Sequence, residues 1–207
     1  MKPVIVFILI LATLPAFCQT NTPDEDIHAK LVQGKKKSLI VYAGKDHSFT
    51  MDVTARSVKP SDVPGFITID RQIVQATLVP ASHAGTSDNP TTFQEKDILT
   101  KYMNYELGYY RKKLRQKYTN VQSEWMTIQG RLYLVWYFDM PRDYKLVSRQ
   151  IYFSTLFYGQ VMDLNAPLFK MDNFAKARDI LNRLANSLKT FDRQLDLAVL
   201  TKQMNKS

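Results

Sequence analysis

Five cations fall close together between residues 111 and 117 of the 207-residue chain: Arg111, Lys112, Lys113, Arg115 and Lys117. Such a group can bind phosphate, carboxylate or another anion by charge attraction. The same residues would also suit the end of a helix, where cations are stabilised by the backbone dipole and long side chains cover neighbouring apolar surface. Two interpretations therefore stay open, an anionic or partner-binding patch and a solvated helix face.

The residues that usually carry catalysis or metal binding are scattered. The three histidines, His28, His47 and His83, share no ligand spacing, and the chain has no HExxH, GxSxG, phosphate-binding loop or glycine-rich dinucleotide turn. Glu95 and Asp97 stand where a helix begins, and the helix dipole accounts for acidic residues there. We expect no catalytic, metal or cofactor site.

The lone cysteine, Cys18, ends an N-terminal segment that is typical of a secretory signal peptide. Lys2 precedes an apolar run over 4–14, which would rise only roughly 18 Å as a helix, too short for a membrane core of roughly 30 Å. We expect cleavage after Cys18 and export to the periplasm or beyond. The alternative is lipidation of Cys18 in a membrane-anchored lipoprotein, although Phe17 is bulky where a lipobox has a small residue.

Composition limits the class of protein. The chain is 45% hydrophobic and 12% aromatic, with seven glycines and one cysteine, which excludes a disordered chain, a collagen and a disulfide scaffold. Its formal net charge of +9 would attract anionic lipid, polysaccharide or an acidic protein, and a protein that is basic without any such partner is the alternative. Nucleic acid is not an expected partner of an exported protein.

The pattern of residues predicts four segments: a signal peptide over 1–18, a flexible lead over 19–37, a single domain over 38–192, and a helical or frayed tail over 193–207. Within the domain we expect a hairpin at 38–54, a strand pair at 66–79 and a loop at 80–93. A long amphipathic helix at 94–118, a meander of strands at 121–164 and a helix at 172–191 capped by Asp172 follow.

The strand predicted at 131–139 decides the architecture. Its alternate residues are apolar on both faces, so both faces need cover. This predicts an α+β fold in which an antiparallel sheet is covered by the long helix and the C-terminal helix, an α/β/α sandwich. Trp125, Trp136 and Tyr137 are expected in the core, and Tyr105 and Tyr109 in the buried stripe of the long helix.

The order of these elements resembles the PsbP-like group of α/β/α sandwiches, which includes Mog-type proteins and bacterial envelope proteins. The resemblance covers about 38–192 and rests on two stretches, ILTKYMNYELGYYRKKL and ILNRLANSLKTF. It implies a non-enzymatic accessory or partner-binding role and transfers no functional residue.

The expected function is therefore an exported, non-enzymatic envelope protein that binds another protein or an anionic surface. The basic cluster and the loop at 80–93 are the expected contact regions. An immunity protein that neutralises a secreted effector, and an enzyme whose site one sequence does not display, are the alternatives. The sequence indicates no oligomeric state, and it predicts membrane attachment only if Cys18 is lipidated.

Overall fold

A computed structural model describes residues 29–35, 37–62, 65–80, 90–112, 117–141, 144 and 146–206. The predicted signal peptide with Cys18, two of the cations, Lys113 and Arg115, and residues 81–89 of the predicted loop lie outside the described residues. No helix in the described part of the chain is both long and apolar enough to cross a membrane.

Eleven strands and three helices make up the described fold. They are β1 (Lys30–Gln33), β2 (Ser38–Ala43), β3 (Ser48–Val53), β4 (Val58–Pro60), β5 (Phe66–Ile69), β6 (Gln72–Pro80), α1 (Thr92–Lys112), β7 (Thr119–Ile128), β8 (Arg131–Asp139), β9 (Val147–Phe157), β10 (Gln160–Phe169), α2 (Phe174–Asn186), β11 (Lys189–Phe191) and α3 (Leu197–Lys206). The larger sheet has the order β4-β5-β6-β10-β9-β8-β7, and the smaller one β1-β2-β3-β11. All described pairings are antiparallel. The α+β class predicted from sequence is confirmed.

Three tight turns set the register of the larger sheet. Each has two residues with positive φ: Asp70 and Arg71 (47° and 72°), Gln129 and Gly130 (51° and 74°), and Tyr158 and Gly159 (44° and 73°). Positive φ at both central residues is the mark of a type I′ turn, whose twist matches that of the flanking strands. Each of these turns therefore joins two adjacent strands directly.

The larger sheet is covered on both faces, as the pattern of β8 predicted. Leu134, Trp136 and Phe138 pack under α1. Tyr133 and Val135 face the opposite side, where α2 and the inner face of the smaller sheet pack.

The hairpin of β2 and β3 differs from the prediction in its place. It does not extend the main sheet but joins β1 and β11 in a second sheet. Tyr42, Phe49 and Met51 bury one face of that hairpin against the main sheet beside α2. Nearly every residue of β2 and β3 is buried, because the main sheet covers one face of the hairpin and α3 covers the other. The residue pattern shows that cover is needed, but it does not show which layer supplies it.

Both long helices are shorter than the sequence pattern predicted. The first is helical as far as Lys112 in the described residues, and its predicted end at residue 118 is wrong, because residues 117 and 118 are not helical. Tyr118 packs beside Phe138 with ring centroids 5.3 Å apart. The second begins after Asn173, whose side chain accepts a hydrogen bond from the Lys176 amide at 3.0 Å. Asp172, the predicted cap, accepts from the Phe169 amide at 2.9 Å.

The predicted lead over 19–37 is wrong for its last part, because residues 30–33 form β1 against β2. The tail is helical, and α3 packs on the outer face of the smaller sheet. Met204 joins Val32, Leu39 and Val41 in a separate small cluster. A Cβ at Gly34 would lie 2.8 Å from the Met204 Cβ, so only glycine permits this close approach.

Replacement of Met204 tests whether α3 is part of the fold. Met204 is 4% exposed, so Met204→Ala should lower the free energy of unfolding by about 2–4 kcal/mol through the lost burial and the cavity. Urea unfolding measures it. The exposed neighbour Lys202 provides the control, since Lys202→Ala should change stability by less than about 0.5 kcal/mol. Equal, small effects of the two variants would contradict the docking of α3.

Candidate functional site

The basic cluster lies at the C-terminal end of α1 and in the residues just before β7. Arg111 and Lys112 are exposed in the last turn of α1, and Lys117 is exposed beyond it. The Arg111 Nη2 atom donates to the Tyr118 hydroxyl at 2.9 Å, and its guanidinium carbon lies 5.2 Å from the centre of that ring. The structure thus places three of the five predicted cations near one another.

These three cations have no carboxylate partner among the described residues. Several cations elsewhere are paired with acids: Lys101 with Asp97, Arg149 with Asp139, Arg178 with Glu124, and Arg183 with Asp179. The positive charge of this end of α1 is therefore open to solvent and to an external anion.

A second cation, near the N-terminal end of α1, also lies over an aromatic ring. The Lys96 Nζ atom lies 5.5 Å from the centre of the Trp125 ring. Trp125 is 38% exposed, so its predicted place in the core is wrong, whereas Trp136 is fully buried as expected. The reason is that β7 is an edge strand, beyond the cover that α1 gives to β8 and β9.

A buried polar cluster, which sequence reasoning missed, lies between α1 and the larger sheet. The Trp136 Nε1 donates to the Ser154 Oγ at 3.0 Å, and Ser154 donates to the Asp163 Oδ1 at 2.5 Å. Tyr102 from α1 makes a further hydrogen bond to Asp163. One helix and three adjacent strands therefore converge on a single carboxyl group.

Glu106 and two tyrosines complete the cluster. The hydroxyls of Tyr110 and Tyr152 lie 2.9 Å apart, and the Tyr152 ring stacks on Trp136 with centroids 4.0 Å apart. Glu106 is 8% exposed on the buried stripe of α1, and its charge acts on Asp163, Tyr110 and Tyr152.

Burial changes the ionisation of both carboxyl groups. Burial raises the pKa of Glu106 to about 7. Burial also raises the pKa of Asp163 to about 7, with a further increase from Glu106, while hydrogen bonds from Ser154, Asn165 and Tyr102 act in the opposite direction. The cluster can hold protons near neutral pH. Asp163 is only 1% exposed, so this conformation closes it to a substrate.

Two sequence signals for this cluster were available. Glu106 lies four residues after Tyr102 and four before Tyr110, in the middle of the buried stripe. Asp163 lies in a strand whose neighbours are apolar, in a sheet covered on both sides. The predicted stripe placed Tyr105 inward instead, but Tyr105 is 52% exposed.

One cavity of about 670 Å³ opens at the end of the larger sheet where β8 ends and β9 begins. Arg149 lines it, and its Nε donates to Asp139 at 2.5 Å. Its guanidinium carbon also lies 5.1 Å from the Tyr137 ring centre and 4.9 Å from that of Phe174. Although partial burial opposes ionisation, hydrogen bonds from Arg149 and Asn120 hold the pKa of Asp139 below its usual value. Arg149 is thus already occupied by partners within the chain.

No metal-binding group forms in the described part of the chain, where no three His, Cys, Asp or Glu side chains come together. His47, the described histidine, stacks on Tyr158 with ring centroids 3.7 Å apart. The Tyr158 hydroxyl in turn donates to Asp192. This contact joins the β2–β3 hairpin to the turn before β10.

Comparisons with known proteins add a likeness in architecture. No family model matches the chain, and no curated protein matches it. Among solved structures, the solution structure of cyanobacterial PsbP (CyanoP) from Synechocystis sp. PCC 6803 is similar, with a TM-score of 0.45 and 11% identity, over 76% of this chain and 95% of that one. The likeness concerns fold alone, and no residue role is carried over from it.

The buried carboxyl groups predict a particular pH dependence of stability. The unfolded chain releases their protons near pH 4, whereas the folded chain keeps them until about pH 7, so the folded state binds more protons in this interval. The free energy of unfolding should therefore fall as pH rises from about 4 to 7. Glu106→Gln should lessen that fall by on the order of 2 kcal/mol, measured by urea unfolding across this range.

The exposed carboxyl group of Asp62 supplies the control for Glu106. Asp62→Asn removes the same charge from the surface, and its stability should stay parallel to that of the wild type across the interval. A constant difference between Glu106→Gln and the wild type at every pH would contradict the raised pKa of Glu106.

Proposed function

We propose that this chain is an exported, non-enzymatic envelope protein that binds an anionic partner through the basic end of α1. The partner is another protein with an acidic surface or an anionic surface of the envelope. The expectation of export comes from the apolar N-terminal segment that ends at Cys18. The observation that carries the binding role is the group of exposed cations Arg111, Lys112 and Lys117, which lack a carboxylate partner in the described structure.

The local geometry supports a binding role for these cations. The Tyr118 ring and hydroxyl hold the Arg111 guanidinium in place, so less side-chain entropy is lost when an anion binds there. The guanidinium group has further N–H donors beyond the one used by Tyr118. Arg111 is therefore suited to a carboxylate or phosphate partner, with Lys112 and Lys117 adding long-range attraction.

An acid–base enzyme is the second candidate, and the raised pKa values of Glu106 and Asp163 favour it. Catalysis at this pair would require α1 to move, because the described conformation buries both groups. A hydrolytic activity lost in Asp163→Asn but kept in Tyr110→Phe would favour the enzyme. The immunity alternative stays a prediction, which specific inhibition of one secreted effector would favour.

Charge reversal at the basic end tests the proposed function. The triple variant Arg111→Glu, Lys112→Glu, Lys117→Glu should bind immobilised polyglutamate and anionic phospholipid vesicles at least about tenfold more weakly than the wild type. Binding of the wild type should itself weaken as salt rises from about 0.05 to 0.5 M, because exposed charges are screened.

A second triple variant controls for net charge. Lys30, Lys45 and Lys59 are exposed elsewhere on the molecule, and their reversal to Glu changes the net charge by the same amount. This variant should keep most of the binding. Equal losses in the two variants would show attraction by overall charge and would contradict a localised patch, and vesicle binding without polyglutamate binding would identify a lipid surface as the partner.

A further inference from the structure

The outer edge of β7 differs from the other described sheet edges. The opposite edge of the larger sheet, β4, has three residues and contains Lys59 and Pro60, which discourage pairing. The smaller sheet ends in β1, of four residues, and β11, of three. β7 has ten residues and pairs with β8 on one side only in the described structure.

The central part of β7 is regular and lacks the features that usually prevent an edge strand from pairing with another strand. The register shift in its pairing is confined to 119–122, and from Gln122 to Ile128 the pairing with β8 is continuous. This stretch contains no lysine and no proline. Its one charged residue, Glu124, is bound by Arg178 at 2.6 Å on the face toward α2. Nothing in this stretch opposes the addition of another strand.

The register identifies the backbone groups that face outward. Ile128 and Arg131 flank a two-residue turn, so they form a hydrogen-bonded pair, and such pairs alternate along an antiparallel ladder. Gln122, Glu124 and Met126 therefore direct their amides and carbonyls toward β8. Ser123, Trp125 and Thr127 direct theirs to the open edge, over about 14 Å.

Two cations of α1 lie along this side of the sheet, one over the centre of the open edge and one beyond its start. Lys96 lies over Trp125, and Arg111 lies over Tyr118. The rise of α1 between the two cations is about 22 Å, and the chain from Tyr118 to Trp125 covers at most about 23 Å, so helix and edge strand run side by side. The side chains of Ser123, Trp125 and Thr127 face this helix, because Trp125 and its register neighbours share the α1 side of the sheet.

We infer that β7 is a docking edge for an extended acidic segment of a partner protein, which adds as an antiparallel or parallel strand. Backbone hydrogen bonds would come from Ser123, Trp125 and Thr127, with a carboxylate of the segment near Lys96. A segment that continues past Ser123 would bring a further carboxylate toward Arg111. This inference rests on the proposed function and names its partner. A second copy of β7 fits less well, because pairing would bring the cations of two positively charged chains together.

A proline at Ser123 is the direct test of strand addition. The Ser123 amide faces the open edge, so Ser123→Pro removes an outward donor and leaves the hydrogen bonds to β8 in place. The probe is a fluorescent peptide of about nine residues with alternating valine and glutamate, long enough to span the edge. Ser123→Ala should bind it like the wild type, and Ser123→Pro should bind at least about tenfold more weakly.

Two further measurements keep the test independent of the fold of the proline variant. A peptide N-methylated on alternate amides should lose binding to the wild type by at least about tenfold, and so should a valine–lysine peptide. Hydrogen exchange should show new protection at the amides of Ser123, Trp125 and Thr127 when the acidic peptide is bound, but little change at Gln122, Glu124 and Met126.

The outcomes separate this inference from the proposed function. Binding of the valine–glutamate peptide that is unchanged by Ser123→Pro or by N-methylation, but lost on reversal of Arg111, Lys112 and Lys117, would overturn strand addition and leave the proposed function intact. No peptide binding up to about 1 mM would overturn the inference. Hydrogen-exchange protection of the edge that rises with protein concentration in the absence of peptide, together with a doubled molecular mass, would overturn the inference. It would show that a second copy of the chain binds at β7.

Discussion

The burial of β8, β9 and β10 on both faces is the constraint on which the rest of the structure depends. A strand with two dry faces requires cover on each, and here α1 supplies one layer while α2 and the smaller sheet supply the other. It also requires that any polar side chain on these strands find its partners inside. The hydrogen bonds from Trp136 to Ser154 and from Ser154 to Asp163 meet that requirement, and Tyr102 of α1 also bonds to Asp163.

The same constraint explains why the exposed features collect at β7. The helix α1 packs on β8 and β9 and leaves β7, the last strand of the sheet, uncovered. Trp125 is partly exposed for this reason, although it belongs to the same meander as the fully buried Trp136. The cations that flank α1 lie above this uncovered strand, because they border the buried stripe of the helix.

Periodicity predicted the layers from sequence, but not the way they join. The alternation in β8 required a covered sheet, and β-rich runs on either side of short turns predicted strand pairs. The apolar residues of β2 and β3 could not show that these strands form a second sheet, because the partner strands β1 and β11 lie in stretches too short to carry a pattern. Residue type and spacing predict the group of five cations. They do not predict the burial of Glu106, because a single acid within an apolar stripe is easily assigned to the solvated face.

The buried carboxyl groups and the basic surface both affect the net charge of the molecule. The formal net charge of +9 counts Glu106 and Asp163 as ionised, yet burial raises the pKa of each to about 7. Below neutral pH the protonation of these two groups therefore raises the formal net charge of the folded chain from +9 toward +11. The change in charge arises directly beneath α1. Attraction of an anionic partner to the cations along this helix should then strengthen as pH falls through 7, before ordinary surface carboxylates begin to titrate. The burial of these two carboxyl groups thus changes the net charge that attracts an anionic partner.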